Sequence, residues 1–276
     1  MPFRYDEATD AAAGDPTVVM VHGFPFSSLM WQPVVQARLI PGEVLCPDLR
    51  GFGQHLNAEP CSVAEHAGEL HGLLEHREVL PCVLCGLSMG GYVAMEFAEQ
   101  FPDDVVGLML LNTRAAADND TQRGGRDRML RTVRRKGTAG VAEQMVPMLL
   151  SESTIEREPA LVESVTAAIL DCLPRTIENG TVAMRERVDC TDAMRAVDAP
   201  VSVIAGELDS ITPPNVMRSL HECFDDSEFH VIEGAGHLTC LEQPAAVAKQ
   251  IARLVERAKA NNRGKGIRAD QEHLSH

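Results

Sequence analysis

At 276 residues, with 45% hydrophobic and 24% charged side chains, the chain has ordinary globular composition and fits one large α/β domain with an insertion. A net charge of −15 argues against nucleic acid or an anionic membrane surface as partner, and no apolar run approaches the ~20 residues that span a bilayer. The opening MPFRYDEATDAAAGD has no basic region followed by an apolar core, and the eight cysteines show no small-domain disulfide pattern, so a reduced, cytoplasmic setting is expected.

In chain order, short apolar runs alternate with helical patterns. FRYDEA allows a small antiparallel edge strand, and TVVMVHG (Thr17 to Gly23) predicts a buried strand. SSLMWQPVVQARLI predicts a helix opening on Ser27 or Ser28, and EVLCPDL a strand stopped by Pro47. In SVAEHAGELHGLLEHR, Ser62 and Glu65 have the spacing of a capping box. PCVLCGL predicts a third strand, GGYVAMEFAEQF a helix ending before Pro102, and VVGLMLLNT a fourth strand. Near-continuous apolar strands alternating with helices imply a mostly parallel central sheet covered by helices on both faces.

After Thr113 the rhythm breaks. Residues 114–198 show only helical segments, such as QRGGRDRMLRTVRRKG, TAGVAEQMVPMLL and PALVESVTAAILDCL, and hold 13 of the 25 Lys and Arg. They read as an all-helical insertion. PVSVIAGELD, PNVMRSLHECF, EFHVIEGAGH and AAVAKQIARLVERAKA then resume the strand and helix alternation. The expected division is therefore a core of 1–113 and 199–260, an insertion of 114–198, and a polar, disordered tail of 261–276.

Gly86-Leu87-Ser88-Met89-Gly90 falls at a strand-to-helix junction, in VLCGLSMGGYVAM. A sharp turn there requires tiny neighbours, and the N–H groups of the following helix start face the serine. Read locally, Ser88 is either a nucleophile or a helix cap. A serine needs a base, and two of the ten histidines stand apart from helical patterns: His22, directly after the first apolar strand, and His237, in the turn GAGHLTCLEQP. An acid must orient the base, and Asp209 ends the strand VSVIAGELD, with Glu207 two residues earlier; alone, Asp209 could be a turn residue. Ligands bind beyond the carboxyl ends of strands in open α/β sheets, and Ser88, Asp209 and His237 all follow such ends. Cys82 and Cys85 form a C-x-x-C, but within a strand residues three apart face opposite sides. No second ligand pair at zinc spacing is found, so both are assigned to the core and no metal site is expected.

The stretches HGF (His22 to Phe24), DLRGFG (Asp48 to Gly53), GLSMGG, GELDSITP (Gly206 to Pro213) and GAGHLTCLEQP (Gly234 to Pro244) resemble, in this order, those of the α/β-hydrolase fold family. The likeness runs from about Thr17 to Lys259, with the helical insertion in the place of that family's cap. It implies Ser88 as nucleophile, His237 as base and then acid, and Asp209 as its orienter. It further implies an oxyanion hole from the backbone N–H groups of Met89 and Phe24, with His22 shaping the loop.

Haloalkane dehalogenases and epoxide hydrolases of this fold use an aspartate where Ser88 stands, so both activities are set aside. The chain is most similar to small serine esterases and lactonases, of the 3-oxoadipate enol-lactonase and metal-free chloroperoxidase or perhydrolase kind. That likeness implies hydrolysis of a small-molecule carboxylic ester or lactone through an acyl-enzyme, with no cofactor and no metal. Perhydrolysis, C–C bond hydrolysis of a meta-cleavage product, and a slow-turnover ligand sensor are the alternatives. For substrate contact, Arg114 is placed to meet a carboxylate, and Trp31, Met145, Met148 and Met184 to line an apolar acyl pocket; the bland alternatives are an ion pair and core packing.

Overall fold

A computed structural model describes residues 3–8, 15–55 and 59–273. Seven strands, β1 (Phe3–Ala8), β2 (Val18–Val21), β3 (Glu43–Pro47), β4 (Cys82–Leu87), β5 (Val105–Leu111), β6 (Val201–Gly206) and β7 (Ser227–Ile232), form one sheet in the order β1-β3-β2-β4-β5-β6-β7. β1 is the edge strand anticipated from FRYDEA, antiparallel to β3, and every other pairing is parallel. Every residue of β2, β4, β5 and β6 is buried, which explains their unbroken apolar sequences. β7 is the opposite edge; Ser227 to His230 are half-buried, Val231 is exposed and only Ile232 is buried, and the strand stops there, short of the run read from EFHVIEGAGH.

Helix α1 (Gln32–Gln36) follows a single 3-10 turn, Ser28–Trp31, capped by Ser27, so the segment predicted as one helix is two short pieces broken at Pro33. α2 (Val63–His76) starts on Ser62 with the expected reciprocal Ser62 and Glu65 bonds. α2 packs on α3 (Met89–Gln100), which covers β4 and β5. On the other face α11 (Pro244–His273) lies along β4 and β5 beside α1, its buried stripe being Val247, Ile251, Leu254, Val255 and Ala258. The backbone of α11 continues through residues 261–273, where composition alone led to a tail; the register that begins at Pro244 carries on through Ala, Arg, Lys and Gln, all compatible with helix. The last three residues lie outside the described ones.

Between β5 and β6 the described residues carry only helices: α4 (Asp120–Leu149), α5 (Glu152–Arg157), α6 (Pro159–Leu170), α7 (Pro174–Glu186) and α8 (Thr191–Met194). α4 is interrupted at Gly137, with φ 64° and ψ −161°, so the two helices read on either side of that glycine are two segments. The strands joining this excursion to the sheet are tied by Arg187. Its guanidinium meets Asp118 at 3.1 Å and the Ala116 carbonyl at 2.7 Å, and lies 4.2 Å from the Tyr92 ring centre on α3. α9 (Pro214–His221) and the short α10 (Thr239–Glu242) complete the set. Among the described residues no helix is long and apolar enough to cross a membrane.

Candidate active site

β4 ends at Leu87 and α3 starts at Met89, leaving Ser88 alone in the turn with φ 55° and ψ −112°. Positive φ is unfavourable for a side-chain-bearing residue, and such strain persists only where its surroundings enforce it. Here close backbone contact enforces it. A Cβ on Gly86 would collide with the Gly90 carbonyl, and one on Gly90 with the carbonyls of Val21 and His22. Both positions therefore tolerate only glycine, and α3 reaches the sheet closely enough to aim its N-terminus at the serine. Ser88 N–H donates to Leu111 at 2.9 Å, and the Thr113 hydroxyl donates to the Ser88 carbonyl at 2.8 Å, fixing the turn from β5.

The loops after β6 and β7 bring Asp209 and His237 to the same place. His237 Nε2 lies 2.9 Å from Ser88 Oγ, and His237 Nδ1 lies 2.8 Å from Asp209 Oδ2. A carboxylate only accepts, so the imidazole proton belongs on Nδ1 and leaves Nε2 to accept from the serine hydroxyl. Asp209 and His237 are both buried. Asp209 Oδ1 accepts from the backbone N–H of Ile211 (2.7 Å) and Thr212 (3.0 Å); Oδ2 accepts from the Thr212 hydroxyl (2.6 Å) and from Asn112 Nδ2 (2.8 Å). Burial raises the pKa of this carboxyl, but attraction to His237 and hydrogen bonds from His237, Thr212 and Asn112 outweigh it and hold the group well below the usual carboxylate range. Asp209 is thus an anion at neutral pH.

Sequence reading missed Asn112, Thr212 and Thr239, whose hydroxyl donates to Asn112 Oδ1 at 2.8 Å. Their signal was position: Asn112 directly follows β5, and Thr212 and Thr239 lie in the loops that carry Asp209 and His237. Glu207, the rival acid, instead accepts from Gly234 N–H at 2.8 Å and braces the turn after β7.

His237 is also held by the helical excursion. Leu149, the last residue of α4, accepts from the N–H groups of both His237 (3.0 Å) and Leu238 (3.1 Å). Glu242 accepts from Gly236 N–H at 2.8 Å through one oxygen, and from Ser151 N–H (2.9 Å) and the Thr154 hydroxyl (2.8 Å) through the other.

His22 is a loop organiser. Leu49 N–H donates to its Nε2 at 3.0 Å, so its Nδ1 carries the proton, which goes to the Gly23 carbonyl at 3.0 Å. Burial lowers its pKa against smaller opposing effects of Gly23 and Asp48. Asp48, equally buried, accepts from Ser28 N–H (2.7 Å) and Gln54 N–H (2.8 Å). Between these anchors the chain turns at Phe24 and Pro25, whose peptide is cis, with Phe26 N–H donating to the Gly23 carbonyl at 3.0 Å. Among the described residues neither Phe24 N–H nor Met89 N–H donates to a protein acceptor. Both remain available for an external oxygen.

A cavity of about 530 Å³ opens directly beyond this turn, lined by Pro25, Phe26, Met30, Phe52, Val165 and Leu173 among others. Ser88 is not in its wall; Pro25 and Phe26, which follow Phe24 in the chain, are. The side chains expected to touch substrate lie elsewhere. Trp31 is fully buried in the core, Met145 and Met184 are buried among the excursion helices, and Met148 is partly exposed. The Arg114 guanidinium donates to the Ile211 carbonyl at 2.7 Å, a structural tie on the Asp209 loop. None of the five lines the cavity, because its walls are set by which faces of α6 and of the turn at 25–32 meet.

Residues 18–250 match the model of the alpha/beta hydrolase family. The chain belongs to that family. Among curated relatives, the chain is similar to 3-oxoadipate enol-lactonase 2 of Acinetobacter baylyi, 25% identical over 251 residues, 91% of this chain and 92% of the relative. The Biotin biosynthesis bifunctional protein BioHC of Cellvibrio japonicus is 28% identical over 239 residues, 83% of this chain; the match spans 45% of that longer protein. Among solved structures, a thermophilic esterase from Thermogutta terrifontis is 36% identical with a TM-score of 0.84, covering 90% of this chain and 92% of the other. The expected likeness to esterases and lactonases of this fold is thereby borne out.

Proposed function

We propose that this hydrolase cleaves a small-molecule carboxylic ester or lactone through an acyl-enzyme formed on Ser88. The observation that carries the reading is the continuous chain from Ser88 Oγ to His237 Nε2 (2.9 Å) and from His237 Nδ1 to Asp209 (2.8 Å), at the carboxyl ends of three strands. As the serine oxygen attacks the carbonyl carbon, its proton passes to His237 Nε2. The imidazolium that results is stabilised by Asp209, already an anion held in place by four donors besides the histidine. Charge developing on the carbonyl oxygen is met by the N–H groups of Met89 and Phe24. His237 then returns the proton to the leaving alkoxide, and in a second round activates water to release the acid.

In this reading residues 114–198 serve as the cap, the 530 Å³ cavity beneath α6 receives the apolar part of the substrate, and no cofactor takes part. The cysteines Cys46, Cys61, Cys82, Cys85, Cys172, Cys190, Cys223 and Cys240 are all free thiols, which supports a reducing, cytoplasmic setting.

The test is labelling by a fluorophosphonate probe, with hydrolysis of p-nitrophenyl esters of graded acyl length beside it. Rapid stoichiometric labelling that Ser88→Ala abolishes supports the proposal. A folded protein that does not label overturns it, and labelling without ester or lactone turnover would move the assignment to the ligand-sensor alternative.

A further inference from the structure

Three side chains with metal-ligating atoms converge at the start of α2. Cys61, His66 and Glu69 each place one such atom within 4.8 Å of the other two. Helix geometry produces this grouping. His66 and Glu69 are three apart and share a face, while Cys61 precedes the Ser62 cap and packs back against the fourth helical position, which is His66. That contact is normally made by two apolar side chains; here it joins a thiol and an imidazole.

Cys61 and His66 are buried, and among the described residues His66 Nδ1 has no hydrogen-bond partner. An unpartnered buried nitrogen is costly and calls for an explanation. Burial, with smaller effects of His22 and Arg50, lowers the His66 pKa to about 4, so the ring is neutral and keeps a lone pair for coordination. Arg50, Glu59, Cys61 and His66 on one side, and Thr176, Asn179 and Gly180 of α7 on the other, line a void of about 10 Å³, room for one water-sized occupant. Arg50 holds both oxygens of the Glu69 carboxylate, Nη2 on Oε1 and Nε 3.1 Å from Oε2, and so orients it towards Cys61 and His66 through its remaining lone pairs.

We propose that Cys61, His66 and Glu69 form a binding site for a divalent cation of the zinc type, structural in role, at the seam between α2 and α7. A thiolate, an imidazole and a carboxylate suit Zn²⁺ or Co²⁺ and are a poor set for Mg²⁺ or Ca²⁺. On binding, the Cys61 S–H bond breaks, its proton goes to bulk water, and the thiolate electron pair forms the bond to the metal. The thiolate and the carboxylate offset the 2+ charge, and the Arg50 guanidinium on Glu69 leaves one net positive charge at the site. The void beside Cys61 and His66 has room for one water. This inference is independent of the hydrolase reading, since no step of that reaction passes through the three residues.

The test titrates the full chain, freed of metal by a chelator, with Co²⁺ and then Zn²⁺. One equivalent of Co²⁺ should give thiolate-to-cobalt charge-transfer absorption that Zn²⁺ displaces. Zn²⁺ at about 100 times its Kd should raise Tm by roughly 5–10 °C. Cys61→Ser should remove the absorption, and Glu69→Gln should weaken Co²⁺ binding at least about tenfold, both with fluorophosphonate labelling unchanged. Absence of the absorption overturns the site, as does an absorption that survives Cys61→Ser. If Cys61→Ser does not fold, Glu69→Gln decides the matter, and unchanged Co²⁺ affinity in that variant overturns the site.

Discussion

The sheet and the helical excursion of residues 114–198 hold their parts in different ways. In the sheet, backbone touches backbone: Gly86 and Gly90 let α3 lie against β2 and β4 with no side chain between, and the reactive groups sit in turns set by strand order. In the excursion much of the fastening is by side chains, through Arg187 on Asp118 and Tyr92, and through Glu242 on Ser151 and Thr154, beside the main-chain bonds to Leu149. Backbone contacts allow almost no adjustment, whereas side-chain ties leave the helices between them free to vary. A family can thus keep one reaction while its cavity walls change.

The largest expected effect tests the sheet side. Asp209→Asn keeps the shape of the carboxylate but cannot hold the Nδ1 proton of His237 in place. Steady-state ester hydrolysis should fall by about 10⁴-fold with the far-ultraviolet spectrum unchanged; a loss of less than tenfold would remove Asp209 from its assigned role. Next, Gly90→Ala sets a methyl group against the Val21 and His22 carbonyls. A denaturant titration should show about 3 kcal/mol of lost stability, with slower probe labelling as Ser88 is pushed out of line.

A similar loss is expected in acid. The His66 pKa is lowered from the ordinary 6.5 to about 4, so below pH 6.5 the unfolded chain takes up a proton that the fold refuses. Stability from this group is complete above about 6.5 and declines by about 3 kcal/mol as pH falls towards 4. His22, shifted the same way, adds to the slope. Urea unfolding between pH 7 and 4 in EDTA should show the decline, and His66→Leu should flatten it. The smallest effect is on the side of the helical excursion. Gly124 lies within α4, where an added Cβ meets only the end of Arg128 at 3.7 Å, so Gly124→Ala should stabilise by about 0.5–1 kcal/mol. If Gly124→Ala cost as much as Gly90→Ala, the contrast between the two regions would fail.

The same contrast explains what could be read in advance. Unbroken apolar runs announced the strands, and strand ends drew Ser88, Asp209 and His237 together as candidates before any coordinates. Asn112, Thr212 and Thr239 escaped notice because an amide or a hydroxyl has no chemistry of its own until a charged neighbour is known. Trp31, Arg114, Met145 and Met148 were chosen by residue type, but the cavity wall depends on how α6 settles over the turn at 25–32, which no local pattern encodes. The Cys61, His66 and Glu69 grouping was invisible for a related reason: its spacing matches no metal motif, and only the helix turn and the burial bring it together.

The two N–H groups that Leu149 receives have one more implication. They clip the main chain of the loop bearing His237 to the final turn of α4, so the placing of that loop depends on the helical excursion as well as on the sheet. The Leu149 side chain is itself buried in the core, so one residue ties the loop through its carbonyl and the excursion through its packing.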